Sequence, residues 1–270
     1  MRAPRVRVRE LKDPAEFAEA SQVAKAAWRF PDLMVPPPPD MITATHAGGM
    51  TAGAFEGTRL LAFVHAVSRR NLPVPAIHSH LLAVRPEAQR RGLSVLLKLF
   101  QREWCLSRGI GLVTWTYDPF MLRNARLNLV RLGAVVPVYL PNFYGAIGGI
   151  YGELPSDRFE AHWRLTSPRV ERAARGDAEG LLPQEAARLP VARAARDAER
   201  TPGPPGPGGR VLLPFPAGFP ACFRDDLSKG ARVRRRFGRT AAALFARGYE
   251  AVAVVELEEG PAYVLERAGE

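Results

Sequence analysis

Between residues 76 and 140 the chain alternates between two hydrophobic periods, and that alternation limits the folds open to it. "AIHSHLLAV" (76 to 84) is an apolar run of strand length. After the interruption "RPEAQRRG", Leu93, Leu96, Leu97, Phe100 and Trp104 recur at helical spacing and make one apolar stripe that stops near Gly109. "GLVTWTY" (111 to 117) reads as a strand, 120 to 132 as a helix ended by Gly133, and "AVVPVYL" as a strand again. Strands alternating with helices imply an α/β sheet.

The flanks extend the pattern. "RVRVREL" is a short strand; Asp13 then Pro14 form a helix start, with Phe17, Ser21, Ala24 and Trp28 following at helical spacing. "PPPPD" (36 to 40) is a rigid connector into a helical piece near 40 to 47, before strands at about 51 to 56 and 60 to 67. Residues 1–165 therefore read as one domain. Residues 166–209 are an Ala/Arg/Pro/Gly-rich connection, expected to pack poorly from 173 on. Residues 210–270 read as a strand, a helix (about 220 to 247) and two strands, an α+β extension.

The balance of 38 basic to 27 acidic residues gives +11, yet only Lys12, Lys25, Lys98 and Lys229 are lysines. In a chain rich in Ala, Pro and Gly this arginine excess reads partly as compositional bias, so it favours anionic ligands without pointing to nucleic acid. Arg232, Arg235, Arg236 and Arg239 form a stripe beside Val233, Phe237 and Leu244. No aromatics interleave with them, so a solvated face is expected rather than a nucleic-acid site. Cys105 and Cys222 make neither a disulfide framework nor a zinc site; both are expected as small buried hydrophobes, and no metal is expected. The N-terminus has no apolar leader segment, and the uncharged stretch 132 to 152 is interrupted by Pro137, Pro141 and glycines. A cytoplasmic protein with no membrane partner is the expectation.

The turn at 85 to 92 carries the chemistry. The first amide groups of the following helix have no partner inside it and bear partial positive charge. Gly92 brings no side chain between them and an anion, and Arg90 and Arg91 add full charges. This is a candidate pyrophosphate cradle.

"LLAVRPEAQRRGLSVLLKLFQ" resembles the acetyl-CoA-binding motif of the GNAT acyltransferase superfamily, here Gln89-Arg90-Arg91-Gly92-Leu93-Ser94, with Ser where Gly or Ala is usual. "SHLLAV", "WTYDP", "NARLNLVRLGA", "NFYG" and "LPSDRF" are similar to a little-characterised subfamily of it. The resemblance implies a GNAT-like mixed central sheet flanked by helices. It also implies transfer of an acetyl group from acetyl-CoA to the amine of a small molecule. Leu82, Ala83, Val84 and Asn124 would contact the CoA arm, and residues 89 to 94 the pyrophosphate.

His78 and His80 stand two apart on one strand and are candidate bases, an unperturbed histidine pKa of about 6.5 suiting that work. His80 belongs to the subfamily pattern; His78 falls where some members carry a glutamate. Either could equally be a hydrogen-bonded strand histidine. The tyrosine many members use as acid is replaced by Leu129, leaving Tyr117, Tyr139 and Tyr144 as candidates, Tyr144 the one taken, and solvent as an alternative. Asp118 could bind a cationic substrate or cap the next helix. Asn128, four residues after Asn124, could reach substrate. Asp157 and Arg158 are an ion pair or part of an acceptor pocket. The missing tyrosine also leaves open a GNAT-shaped protein that binds CoA without turnover.

Overall fold

The structure, a computed structural model, describes residues 6–145, 147, 154–177, 181–192, 209–219, 221–223 and 226–268. The chain divides into two compact units inside one strand, after Trp115, rather than near residue 165. Of the described residues, 6–115 and 164–166 form the first; the others form the second.

In the first unit β1 (Val6–Glu10), β2 (Met50–Glu56), β3 (Arg59–Arg69) and β4 (Ala76–Val84) run antiparallel, each beside the next. The start of β5 (Leu112–Tyr117) lies parallel to β4. A parallel pair needs a crossover, and α3 (Leu93–Leu106) supplies it. α1 (Pro14–Trp28) is capped by Asp13, whose carboxylate accepts from the amides of Ala15 and Glu16 at 3.1 and 3.2 Å. Phe17, Ala20, Val23 and Ala24 of α1 pack on Leu60, Phe63 and Ala83 of the sheet, with Met41 of α2 (Pro38–His46) closing that core. α2 then hands the chain to β2 through Gly49, where a Cβ would sit 2.3 Å from the Ala66 carbonyl oxygen. Only glycine permits that approach.

The second unit has strands in the order β7 (Arg158–Arg164), β6 (Val135–Leu140), β9 (Tyr249–Leu257), β10 (Gly260–Arg267) and β8 (Val211–Pro214). The helical segment α4 begins at Leu122–Ala125 and widens to a π-helical stretch over Arg126–Arg131. In the widened turn Arg169 donates to the carbonyls of Leu129 (2.9 Å) and Gly133 (3.1 Å), and the Trp163 indole donates to Leu132 (2.8 Å).

Within the connection at 166–209 the described residues pack, contrary to expectation. Ser167 caps α5 (Pro168–Arg175), which buries Val170 and Ala173; α6 (Pro183–Ala186) buries Ala186; and the Ala192 amide bonds the Leu212 carbonyl at 2.8 Å. Small residues at helical spacing gave this segment a face that can pack. Residues 178–180 and the Pro/Gly run at 201–208 lie outside the described residues. Cys105 is buried as expected, but Cys222 is exposed, because Phe223 takes the inward position of its short turn.

α7 (Leu227–Phe245) carries the four expected surface arginines, and also Arg234, which points inward and is 1% exposed. Its Nη2 donates to Asp118 Oδ2 at 2.6 Å, and Arg158 Nη1 lies 3.5 Å from the same oxygen. Phe120 and Phe219 contact the Arg234 guanidinium, with its carbon 4.8 and 4.5 Å from their ring centroids. Removing one partner of a buried pair leaves an uncompensated charge, costing ~3–5 kcal/mol. Asp118→Ala should therefore lower the denaturant midpoint by a corresponding amount, whereas Arg235→Ala, on the exposed stripe, should leave it in place. Equal midpoints for the two variants would show that the pair does not hold this unit.

Candidate active site

β4 is where the first unit departs from regularity. On one edge it pairs with β5 over Ala76–Leu112, Ile77–Val113 and His78–Thr114, and among the described residues that register goes no further. On the other edge the register with β3 slips: Val67 opposes His78 and His65 opposes Leu81, so Ser79 and His80 together face Ala66. An extra residue of this kind bends a strand and increases its twist. β4 therefore leaves β5 after His78, while Leu82, Ala83 and Val84 stay paired with Val64, Phe63 and Ala62 of β3.

The bulge is held from the α3 side. Lys98 Nζ donates to Ser79 Oγ at 2.8 Å and to Gln101 Oε1 at 3.0 Å, and lies 3.9 Å from the centroid of the Trp115 ring. Complete burial pushes the Lys98 pKa down from 10.5 to about 7.

Three histidines gather around the bulge. The rings of His78 and His80 are 6.3 Å apart, and those of His65 and His80 6.5 Å. His78 Nδ1 lies 3.0 Å from Thr114 Oγ1, which also accepts from Arg69 Nη1 at 2.8 Å. His65 Nδ1 lies 2.8 Å from Thr51 Oγ1, and Thr51 Oγ1 lies 2.9 Å from Thr45 Oγ1. Burial, reinforced by charge on His80, lowers the His65 pKa to about 4. His80 reaches solvent, yet the desolvation it suffers among its neighbours also lowers its pKa.

The strand ends in a short turn, Pro86–Ala88, and then Arg90 and Gly92 both take left-handed backbone, φ 66° and 75°. Glycine suits that conformation at Gly92, and a Cβ there would meet open space. α3 begins at Leu93 with no side chain capping its first amides. Those amides, exposed Arg90 and the open space at Gly92 fit an anion such as a pyrophosphate. Arg91 is paired with Glu56 at 2.5 Å; exposed pairs are weak, so its charge can be shared with an incoming anion.

The structure thus brings His78, His80, Leu82 to Val84 and residues 89 to 94 into one unit. Asp118, Asn124, Asn128 and Tyr144 belong to the other. There Asp118 is 1% exposed, and its Oδ1 accepts from the Phe120 amide at 2.8 Å, so it caps a turn and anchors arginines. Asn128 is buried on the π-helical stretch and Asn124 half-buried one turn earlier. Tyr144 is exposed, with its hydroxyl 3.1 Å from Thr116 Oγ1. Asp157 accepts from the Asn142 amide at 3.0 Å, and Arg158 bonds the Asp157 carbonyl oxygen, so their side chains serve separate partners. Leu129 is fully buried.

Lys98, His65 and the Arg69–Thr114 pair were not anticipated. A faint signal existed for Lys98: with Gln101 and Cys105 it puts polar groups at i, i+3 and i+7 of an otherwise apolar helix.

No protein-family model and no curated protein matches the chain. Solved structures do. An N-acetyltransferase from Staphylococcus aureus Mu50 superposes with a TM-score of 0.50 at 14% identity, over 60% of this chain and 99% of its own. yncA from Salmonella typhimurium, solved with its cofactor acetyl-CoA, gives 0.50 at 14%, over 60% and 95%. A GNAT-family protein from Desulfovibrio desulfuricans gives 0.49 at 15%, over 60% and 100%.

The lysine generates a pH dependence of known sign. Its folded pKa of about 7 lies below the unfolded 10.5, so the unfolded chain binds the extra proton between those values. Stability then rises with pH across that window. Lys98→Met should flatten the rise between pH 7 and 10, read from denaturant midpoints. A slope as steep in the variant as in the wild type would place the titration elsewhere.

Proposed function

The chain has the fold of the GNAT acetyltransferases, and from that premise we propose that it transfers an acetyl group from acetyl-CoA to the amine of a small molecule. The observation that carries this reading is the bulged β4, which leaves β5 and runs into an uncapped helix start at Gly92. Acetyl-CoA supplies the activated thioester. Leu82 to Val84 offer backbone groups to the pantetheine arm, and Gln89 to Ser94 hold the pyrophosphate, with Asn124 a further proposed contact. His80 takes the proton from the attacking amine. Tyr144 is the proposed donor to the departing thiolate, with water as the alternative. Asp118, as an anchored and enclosed carboxylate, is assigned no contact with the amine; Asn128 is kept as a proposed substrate contact.

A second reading, CoA binding without turnover, draws on Leu129 at the place where the family carries its tyrosine. Release of free thiol from acetyl-CoA in the presence of an amine panel separates the two, since a binder that does not turn over releases none.

Two outcomes test the proposal. At a hundredfold excess over Kd, acetyl-CoA should stabilise the protein by ~2.7 kcal/mol, a shift visible in thermal melts. Gly92→Asn and Gly92→Asp tolerate the left-handed backbone about equally and differ in charge. Asp should lose much more of the shift than Asn, and equal shifts would remove the pyrophosphate from this turn. For the base, His80→Ala should lower kcat by ~10²- to 10⁴-fold while acetyl-CoA affinity holds. Because the His80 pKa is lowered, the acidic limb of the wild-type kcat/KM profile should fall below the ordinary histidine range of about 6.5. A limb above that range would assign the proton to another group.

A further inference from the structure

Of the four lysines, Lys12, Lys25 and Lys229 are exposed, while Lys98 is 3% exposed on α3. Taking an ammonium out of water is costly, so a buried one marks a place where its contacts matter. We infer that Lys98 is a positioning residue for acetyl-CoA: its head group is the wedge that ends the β4–β5 ladder and so keeps the backbone edge at Leu82 to Val84 open for the pantetheine arm. The inference rests on the acetyltransferase reading above and adds to it the residue that makes the cofactor edge.

The strand register shows where the wedge sits. β4 and β5 pair over Ala76–Leu112, Ile77–Val113 and His78–Thr114, so the next rung of a regular parallel ladder would join Ser79 to Trp115. Among the described residues that rung is missing. Both of its residues touch the Lys98 head: Nζ donates to Ser79 Oγ at 2.8 Å and lies 3.9 Å from the centroid of the Trp115 ring. Side chains of one rung stand on the same face of a sheet and would pack against each other. Here both turn to an ammonium instead, at the first position where the two strands no longer pair.

The wedge is braced from behind. Lys98 also donates to Gln101 Oε1 at 3.0 Å, and Gln101 Nε2 lies 3.7 Å from Met50 Sδ on β2, a strand that takes no part in the splay. On the other side β4 accommodates the hold on Ser79 with its bulge. Val64 and Ser68 are four positions apart on β3, whereas their partners Leu82 and Ile77 are five apart on β4. The extra residue lets Ser79 stay on Lys98 while Leu82 to Val84 keep their pairing with β3, and it bends the strand. Without the ammonium, Ser79 and Trp115 can close on each other, and the opening narrows at its origin.

The experiment separates the two halves of the cofactor and needs no turnover. Acetyl-CoA, and ADP carrying the 3′-phosphate of CoA but no pantetheine arm, are titrated by calorimetry into wild type, Lys98→Met, Ser79→Ala and the double variant. Methionine keeps an unbranched stem without the ammonium, and melts check that each variant is folded. An ordinary hydrogen bond is worth roughly fivefold in affinity, so narrowing the edge should weaken acetyl-CoA by ~tenfold or more in each single variant. The arm-less nucleotide, held at residues 89 to 94, should bind every variant as it binds wild type, a split that a general loosening of the fold would not produce. Because the two side chains act as a pair, the double variant should bind acetyl-CoA no more weakly than the weaker single variant. A folded Lys98→Met or Ser79→Ala that binds acetyl-CoA as tightly as wild type overturns the wedge, and so does an equal loss for the arm-less nucleotide. If Lys98→Met does not fold, Ser79→Ala, which removes one hydroxyl, decides alone. Wild type that binds neither molecule sinks the acetyltransferase reading itself, whereas wild type that binds both and variants that do the same sink only the wedge.

Discussion

The parting of β4 from β5 after the His78–Thr114 rung is the constraint on which the rest of the first unit is arranged. A parallel pair that continued would consume the backbone groups of Leu82 to Val84 in a ladder. Instead Ser79 and His80 share one position opposite Ala66, β4 bends, and among the described residues its far half pairs on one edge only. Backbone groups need partners, and a strand edge left open beside a turn of uncapped amides is matched to an extended ligand that ends in an anion. The same bulge sets Ser79 against Lys98 and brings His80 to solvent, so the open edge, the strut and the exposed histidine all follow from one inserted residue.

Two of the buried cations, Lys98 and Arg234, are accommodated in different ways. Lys98 can give up its proton, and burial pushes it towards doing so. A guanidinium cannot. Arg234 must therefore keep its charge, and the structure meets it with Asp118 and two aromatic faces. That explains why Asp118, at the carboxyl end of a strand where a ligand might be sought, turns inward: its carboxylate balances a charge that has no other exit.

The sequence made the parts governed by short-range chemistry legible. The alternation of periods located the strands and helices of residues 76 to 140, and the Gly92 turn located the helix start that the structure leaves uncapped. Features set by distant pairing were not visible. Arg234 lies 116 residues from Asp118, and on a helix carrying Arg232, Arg235, Arg236 and Arg239 nothing in composition marks the one that faces inward. The bulge likewise depends on how β3 is aligned, which the run "AIHSHLLAV" does not encode by itself. The Ala/Arg-rich composition after residue 166 points to a poorly packed connection, yet Val170, Ala173 and Ala186 are buried, because two residues three apart on α5 and one on α6 suffice to pack.

Placing the base among histidines rather than carboxylates also fits the electrostatics. In the proposed reaction, taking the amine proton would place a transient positive charge on His80, about 6.5 Å from His65. Two charged imidazoles at that separation would repel, more strongly as water is excluded. With its pKa lowered to about 4 by burial, His65 is neutral near neutral pH. A histidine acting as base at this place would therefore meet a neutral neighbour in His65 rather than a second charge.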